Sequence, residues 1–504
     1  MPVNILTGTG NEYRPEGDID VRLALAPYQG PWNARLAAHL LRRAGFGGTP
    51  EEIATAADAG MHLSVNKLLA IFPESLPERP QADLSFGPLT TPQQRIAAVL
   101  ATQLWWLNRM LLSPNQLREK MVYFWSTHFT SVIYDKGITP DMMVQQNNLF
   151  RTYALGNYDA LTHEIAKDPA MLRFLDGALN RKQHPNENFA RELMELFTMG
   201  IGNYTEEDVR ETARAFTGNS LDRNGKFIFY PTVHDDGVKT VLGKTGTFTG
   251  DEVIDVIMRH PATGRYIARK FLRAFVYDNP EPALVELVAE RFRVSGYDAK
   301  SVLDVLLRSN VFYSGRAYRS LVRSPIELAI ATHRMLGATQ LGLPVLYSVA
   351  AMGQAVMQPP SVSGWPGGAM WLNSNSILQR LNFLNRVVFT RPPKTPTPAA
   401  AGAGPMMSSS TMMGSGAATA AQTSMPDPRG WIAGVRLDDA NAVADRVLSA
   451  TVQNDYTPQQ RQTLLQYLTT DGVGNPVALS TENIDEKVRG AMSLAMALPT
   501  YQLM

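Results

Sequence analysis

Apolar residues recur every three or four positions along most of this 504-residue chain, and that spacing commits it to helices. Ile96, Leu100, Leu104, Leu107 and Leu111 keep one face apolar for about five turns, which predicts a core helix. Leu36, Leu40 and Leu41 do the same before Gly45. Helix starts are written in as well. In Thr49-Pro50-Glu51-Glu52 and Thr205-Glu206-Glu207-Asp208 a hydroxyl can cap the first free N–H groups, and acids sit at the positive end of the helix dipole. The pattern changes near 226–243, where two short β-like runs, 226–231 and 239–243, flank His234-Asp235-Asp236-Gly237. They predict one hairpin with a polar tip. The expected fold is mainly α, a large multi-helix domain with a small inserted β-hairpin.

With 44% hydrophobic and 18% charged residues the chain can bury a sizeable core. Its organisation reads as an irregular Gly/Pro/Asp-rich arm over 1–30, a helical core domain over 31–390, and C-terminal helices over 430–504 packing on that core. Between them lies a low-complexity, flexible insertion over 391–429. That insertion carries two methionine pairs, Met406–Met407 and Met412–Met413, suited to docking on a protein partner. Lys and Arg number 47 against 46 Asp and Glu, so no global field recruits nucleic acid. Cysteine is absent, which excludes disulfides, zinc–thiolate sites and cysteine nucleophiles. No run of about 18 apolar residues predicts a transmembrane segment, and no signal peptide is visible at the start.

Chemistry concentrates in 184–200, His-Pro-Asn-Glu-Asn-Phe-Ala-Arg-Glu-Leu-Met-Glu-Leu-Phe-Thr-Met-Gly. Read as one helix with Pro185 in its first turn, this segment places His184, Asn188, Arg191, Glu192 and Glu195 within an arc of roughly 100°. Phe189, Leu193, Leu196 and Phe197 form the opposite stripe. Glu192 and Glu195 can serve as an acid–base pair, Arg191 can hold an anionic group, and Asn188 and His184 can orient it. One divalent metal ion could be bound by Glu192, Glu195, His234 and Asp235, with a position open for water. Trp365, in the Gly/Pro-rich 359–368 loop, and Trp371 can stack on a sugar ring. The competing reading is a buried polar network in which Arg191 bridges Glu187 and Glu195 without turnover. His128, on an apolar aromatic stripe, reads as a hydrogen-bonded core residue, and Arg269, Lys270, Arg273, Arg316, Arg319 and Arg323 as solvated cationic faces.

The 184–200 stretch, Tyr204-Thr-Glu-Glu-Asp-Val, His234-Asp, Lys239 with Leu242-Gly243-Lys244, Leu41-Arg-Arg-Ala-Gly-Phe-Gly and the Gly364-Trp365 loop together resemble the bacterial domain-of-unknown-function family numbered 1800. The resemblance brings no catalytic assignment. Members often look exported and are often encoded beside proteins resembling the sulfatase and phosphatase superfamily, which implies an exported or periplasmic place in an envelope process. No Gly-rich phosphate loop, Gly-x-Ser-x-Gly elbow or His-Glu-x-x-His is present. The expected function is therefore a hydrolase-like enzyme, metal-assisted in one version, acting on an envelope glycan or anionic ester. The alternative is a non-catalytic binding or assembly protein using its helical surface and the 391–429 insertion.

Overall fold

The computed structural model describes residues 20–82, 84, 90–390, 428–432, 434–436 and 438–504. Residues 1–19 of the expected arm, and 391–427 of the expected insertion with its methionine pairs, lie outside the described residues. Among the described residues there are 21 α-helices and two small antiparallel hairpins, so the chain is mainly α. The caps act as written. Thr49 accepts from the Glu52 N–H at 3.2 Å while Glu52 accepts from the Thr49 N–H at 2.9 Å, and Thr205 and Asp208 repeat the exchange.

Two expectations change. The runs near 226–243 do not pair with each other. Phe227–Phe229 pairs with Asn219–Leu221, and Lys239–Val241 pairs with Lys244–Gly246. The cause is turn chemistry: Leu242 and Gly243, at φ 50° and 74°, form a two-residue connection whose twist suits a tight hairpin. The long helix, Pro92–Leu112, also emerges further from the core than its apolar spacing predicts. Ile96 is 59% exposed, whereas Ala98 and then Thr102, Trp105, Trp106, Leu107 and Met110 are buried, so the later turns carry most of the contact with the interior.

The signature stretch differs from one regular helix. Its α-helix spans Glu187–Glu192, capped by Asn186, whose side chain accepts from the Asn188 N–H at 2.9 Å; His184 lies before it, bridged to Arg181. Leu193–Thr198 then forms a π-turn, whose i→i+5 bonding puts more residues in each turn and so alters the register of the polar arc. Side chains from three other helices converge on two carbonyls of that turn. The Leu196 carbonyl accepts from Tyr266 at 2.7 Å and Lys270 at 3.2 Å; the Phe197 carbonyl accepts from His128 Nε2 at 2.9 Å and from Tyr158. Gly200 closes the segment at φ 80°, and a Cβ there would lie 2.9 Å from the Tyr266 ring, so both backbone and space require glycine.

His128 is thus a hydrogen-bonded core residue. Because Nε2 donates to a carbonyl, Nδ1 is the acceptor, and Lys270 Nζ donates to it at 2.9 Å. Burial first, then the Lys270 charge, pushes the His128 pKa well below its ordinary value; burial first, then Arg273, pushes Lys270 down to about 7.

Helix Gln116–His128 runs through the centre of the core, with Met121, Val122 and Trp125 fully buried. The segment around Arg319 joins the core to the C-terminal helices. Arg319, 2% exposed and not on a solvated face, donates to the Thr500 carbonyl at 2.8 Å and the Val452 carbonyl at 3.1 Å and pairs with Asp455 at 3.1 Å. Arg323 is likewise buried, its guanidinium over the Tyr501 ring.

Candidate functional site

A cavity of about 190 Å³ opens where helix Gln116–His128, the end of helix Pro261–Phe275, the start of helix Pro325–Met335 and the 364–371 loop meet. Each wall has a local cause. Gly364 adopts φ 80°, and a Cβ on it would lie 2.9 Å from the Thr127 carbonyl, so glycine lets the loop press against the helix and hang Trp365 over the opening. Thr130 Oγ1 donates to the Val362 carbonyl at 2.5 Å and pins the same loop. Trp371 is buried behind it, anchored by Ser376 Oγ donating to its carbonyl at 2.7 Å.

The cavity floor is polar and internally wired. Lys120 and Glu327 form a buried ion pair. Glu327 accepts from the Ser324 N–H at 2.8 Å, Tyr123 donates to Ser324 Oγ at 2.9 Å, and Gln354 Nε2 donates to Tyr123 Oη at 2.7 Å. Burial is the largest influence on both charges. It lowers the Lys120 pKa on balance, whereas for Glu327 the nearby Lys120 outweighs it and holds the carboxyl below its usual value. The rim is different. The Arg273 guanidinium and the Asp278 carboxylate line the cavity and make no hydrogen bond or ion pair among the described residues, although the Asp278 charge is felt by the buried Arg43. A Cβ on Gly368 would lie 3.5 Å from Asp278 Oδ2, which places that carboxylate beneath the loop. A guanidinium and a carboxylate left unpaired beside two indoles can hold an anionic group and a hydroxyl while a ring stacks.

Of the residues singled out from sequence, Trp365 lies in this cavity with Trp371. Glu192 and Glu195 lie near each other on the signature segment. Burial first, then the Glu195 charge, raises the Glu192 carboxyl, and Glu195 accepts from Tyr204 Oη at 2.9 Å. Arg191 does not bridge Glu187 to Glu195; it pairs with Glu187 at 3.0 Å and Glu206 at 2.8 Å on a partly exposed face. Asn188 gives its backbone N–H to the Asn186 cap, and His184 sits in the preceding turn. His234 and Asp235 are tied to the neighbouring helix, Glu206–Ala215, and its end. His234 Nδ1 donates to the Thr217 carbonyl at 2.7 Å, and Asp235 takes a two-point grip from Arg214 at 2.7 and 3.2 Å, which holds its pKa down at about 2.

Among the described residues the structure gathers a different metal-capable group, Asp159, His163 and Asp255, whose ligating atoms lie within 4.8 Å of one another. It is partly exposed. Asp159 and His163 stand four apart on helix Tyr158–Ile165, and Asp255 comes from helix Gly250–Met258. The i,i+4 spacings of Asp159 with His163 and Asp251 with Asp255 were legible in the sequence, but nothing there shows that the two helices meet. The Asp159 carboxylate, 3.5 Å from Nε2, and then Asp251, which accepts from Nδ1, raise the His163 pKa to about 10, and the bond that His163 donates lowers Asp251 to about 2.

The chain is thus a helical protein with an aromatic-walled cavity and a separate carboxylate–imidazole group. Residues 39–503 match the family described as "Protein of unknown function (DUF1800)", and the chain belongs to that family. No curated protein and no solved structure matches it. No helix among the described residues is long and apolar enough to cross a membrane.

Proposed function

We propose that this protein is a hydrolase-like enzyme that takes one ring of an anionic envelope glycan, or an anionic sugar ester, into the cavity beneath the 364–371 loop. The observation that carries this reading is the pairing of Trp365 and Trp371 with two charged side chains, Arg273 and Asp278, that make no hydrogen bond or ion pair among the described residues, Asp278 acting on the buried Arg43 only through its charge. A buried-edge tryptophan alone would be ordinary packing. Unpaired opposite charges beside it, in a concave site, are what a polar ligand completes. The volume, about 190 Å³, is below the roughly 300–1,000 Å³ of sites that enclose whole drug-sized ligands, so it suits one ring of a longer chain. In this reading Arg273 holds the sulfate, phosphate or carboxylate, and Asp278 activates water.

Glu192 and Glu195 supply the alternative acid–base pair, supported by the raised Glu192 carboxyl. Two observations bear on a divalent ion held by Glu192, Glu195, His234 and Asp235: His234 Nε2 has no hydrogen bond among the described residues, which supports it, and Arg214 occupies Asp235, which counts against it. Non-catalytic binding is favoured by the cavity floor, where Lys120, Glu327, Ser324, Tyr123 and Gln354 already satisfy one another.

Tryptophan fluorescence titration and product release with uronate, sulfated and phosphorylated oligosaccharides test these readings together. Wild type binds and cleaves; Trp365→Ala loses binding; Asp278→Asn binds without cleavage. Binding with no cleavage by any form moves the conclusion to a glycan-binding protein, and no binding to any of the three ligand classes sinks the cavity reading.

A further inference from the structure

We infer that Asp159, His163 and Asp255 bind a divalent first-row transition ion of the zinc type, which clamps helix Tyr158–Ile165 to helix Gly250–Met258. This site lies on elements that contribute nothing to the cavity, so the inference stands or falls separately from the glycan reading.

Four observations converge. His163 Nε2 faces both carboxylates, 3.2 Å from Asp255 Oδ1 and 3.5 Å from Asp159 Oδ1. With metal–nitrogen and metal–oxygen bonds of about 2.0–2.2 Å, two donors of a tetrahedral ion sit roughly 3.3–3.6 Å apart, so the observed edges are already close to those of a ligand shell. Asp159 Oδ1 is shielded from water and, among the described residues, has no hydrogen-bond partner, only the 3.5 Å ion pair with His163, so it has acceptor capacity that a cation would satisfy. The ring is also held from behind. His163 Nδ1 lies 3.2 Å from Asp251 Oδ1, and Asp251 is itself fixed by Lys167 at 2.9 Å. That is the arrangement in which a metal-bound imidazole gives its second N–H to a carboxylate, and the ion takes the place of the proton that Nε2 shares with Asp255.

The donor set selects the ion. One imidazole and two carboxylates favour zinc, cobalt or nickel over magnesium and calcium, which take oxygen-only shells. Three protein ligands leave a fourth position for water, on a partly exposed surface. Neither helix needs the ion to fold. Each has its own cap, Asn157 for the first and the Thr249–Glu252 box for the second.

The experiment is zinc binding to the tag-free full chain, stripped with chelator and read by elemental analysis and calorimetry, with thermal melting alongside. Wild type retains one equivalent of zinc, melts higher with zinc than with chelator, and gains nothing from magnesium. His163→Asn and Asp255→Asn lower zinc affinity by at least tenfold while far-UV circular dichroism stays unchanged. Asp251→Asn, which removes only the support behind the ring, weakens binding by about 10–100-fold without abolishing it. Zinc uptake in His163→Asn equal to wild type overturns the inference. So does a wild-type melting temperature that zinc leaves unmoved, a measurement that does not depend on how the variants fold.

Discussion

The signature segment at 187–198 and the cavity under the 364–371 loop are both rich in charge, but they use it differently. On the signature segment Arg191 is held by Glu187 and Glu206, Glu195 by Tyr204, and the π-turn carbonyls by Tyr266, Lys270, His128 and Tyr158. At the cavity the floor is wired in the same way, but at the rim the Arg273 and Asp278 side chains make no hydrogen bond or ion pair among the described residues. A dense motif therefore does not mark chemistry by itself. Most of its polar groups here hold helices in place, whereas the proposed binding site is where charged side chains line a concave surface without a hydrogen-bond partner.

The cavity floor should respond most strongly to substitution. Lys120→Ala leaves Glu327 buried without its counter-ion and should cost about 3–5 kcal/mol in denaturant unfolding. The pair Lys120→Met with Glu327→Gln, in which Gln still accepts from Ser324, should recover most of that loss. A double variant as unstable as the single one would mean that the floor needs charge as well as shape.

Next in size is the effect of pH through Lys270. Its folded pKa of about 7 lies below the unfolded value, so between about 7 and 10.5 the unfolded chain binds more protons. Stability should therefore rise with pH across that window relative to Lys270→Met, and parallel curves for the two proteins would show that the amine next to His128 titrates normally. At the cavity rim, Trp365→Ala should weaken binding of an anionic oligosaccharide by about 1 kcal/mol or more with little change in stability. A variant that binds normally but unfolds early would turn Trp365 into a packing residue. The smallest effect belongs to the signature helix surface: Arg191→Ala should change stability by at most about 1 kcal/mol, since its partners are exposed. A larger loss would overturn the contrast between the two regions.

Much of the scaffold was legible because its signals are local. Thr49, Thr205 and Ser324 announce helix starts through side chains that bond three residues away, and apolar spacing gives each helix its inner face. The hairpins were legible as elements but not as partners, since pairing turned on the short connection at Leu242–Gly243. Ile96 shows the limit of periodicity: its helix is amphipathic, but only contact with the core decides which turns are covered. Trp365 was identifiable from its glycine-rich loop. Asp278, by contrast, is one acid among many until the fold sets it beneath Gly368, and Asp159, His163 and Asp255 meet only because two helices lie side by side whose nearest ligands, His163 and Asp255, are 92 residues apart.

The sequence by itself determined that the chain is helical, where its helices begin, the family to which it belongs, and that its chemistry must work without cysteine. Those properties follow from bonds and spacings that span a few residues. Tertiary structure alone decided which charges are paired, because neutralising Arg319 or Lys120, or leaving Arg273 and Asp278 without an ion pair among the described residues, depends on partners brought together from distant parts of the chain.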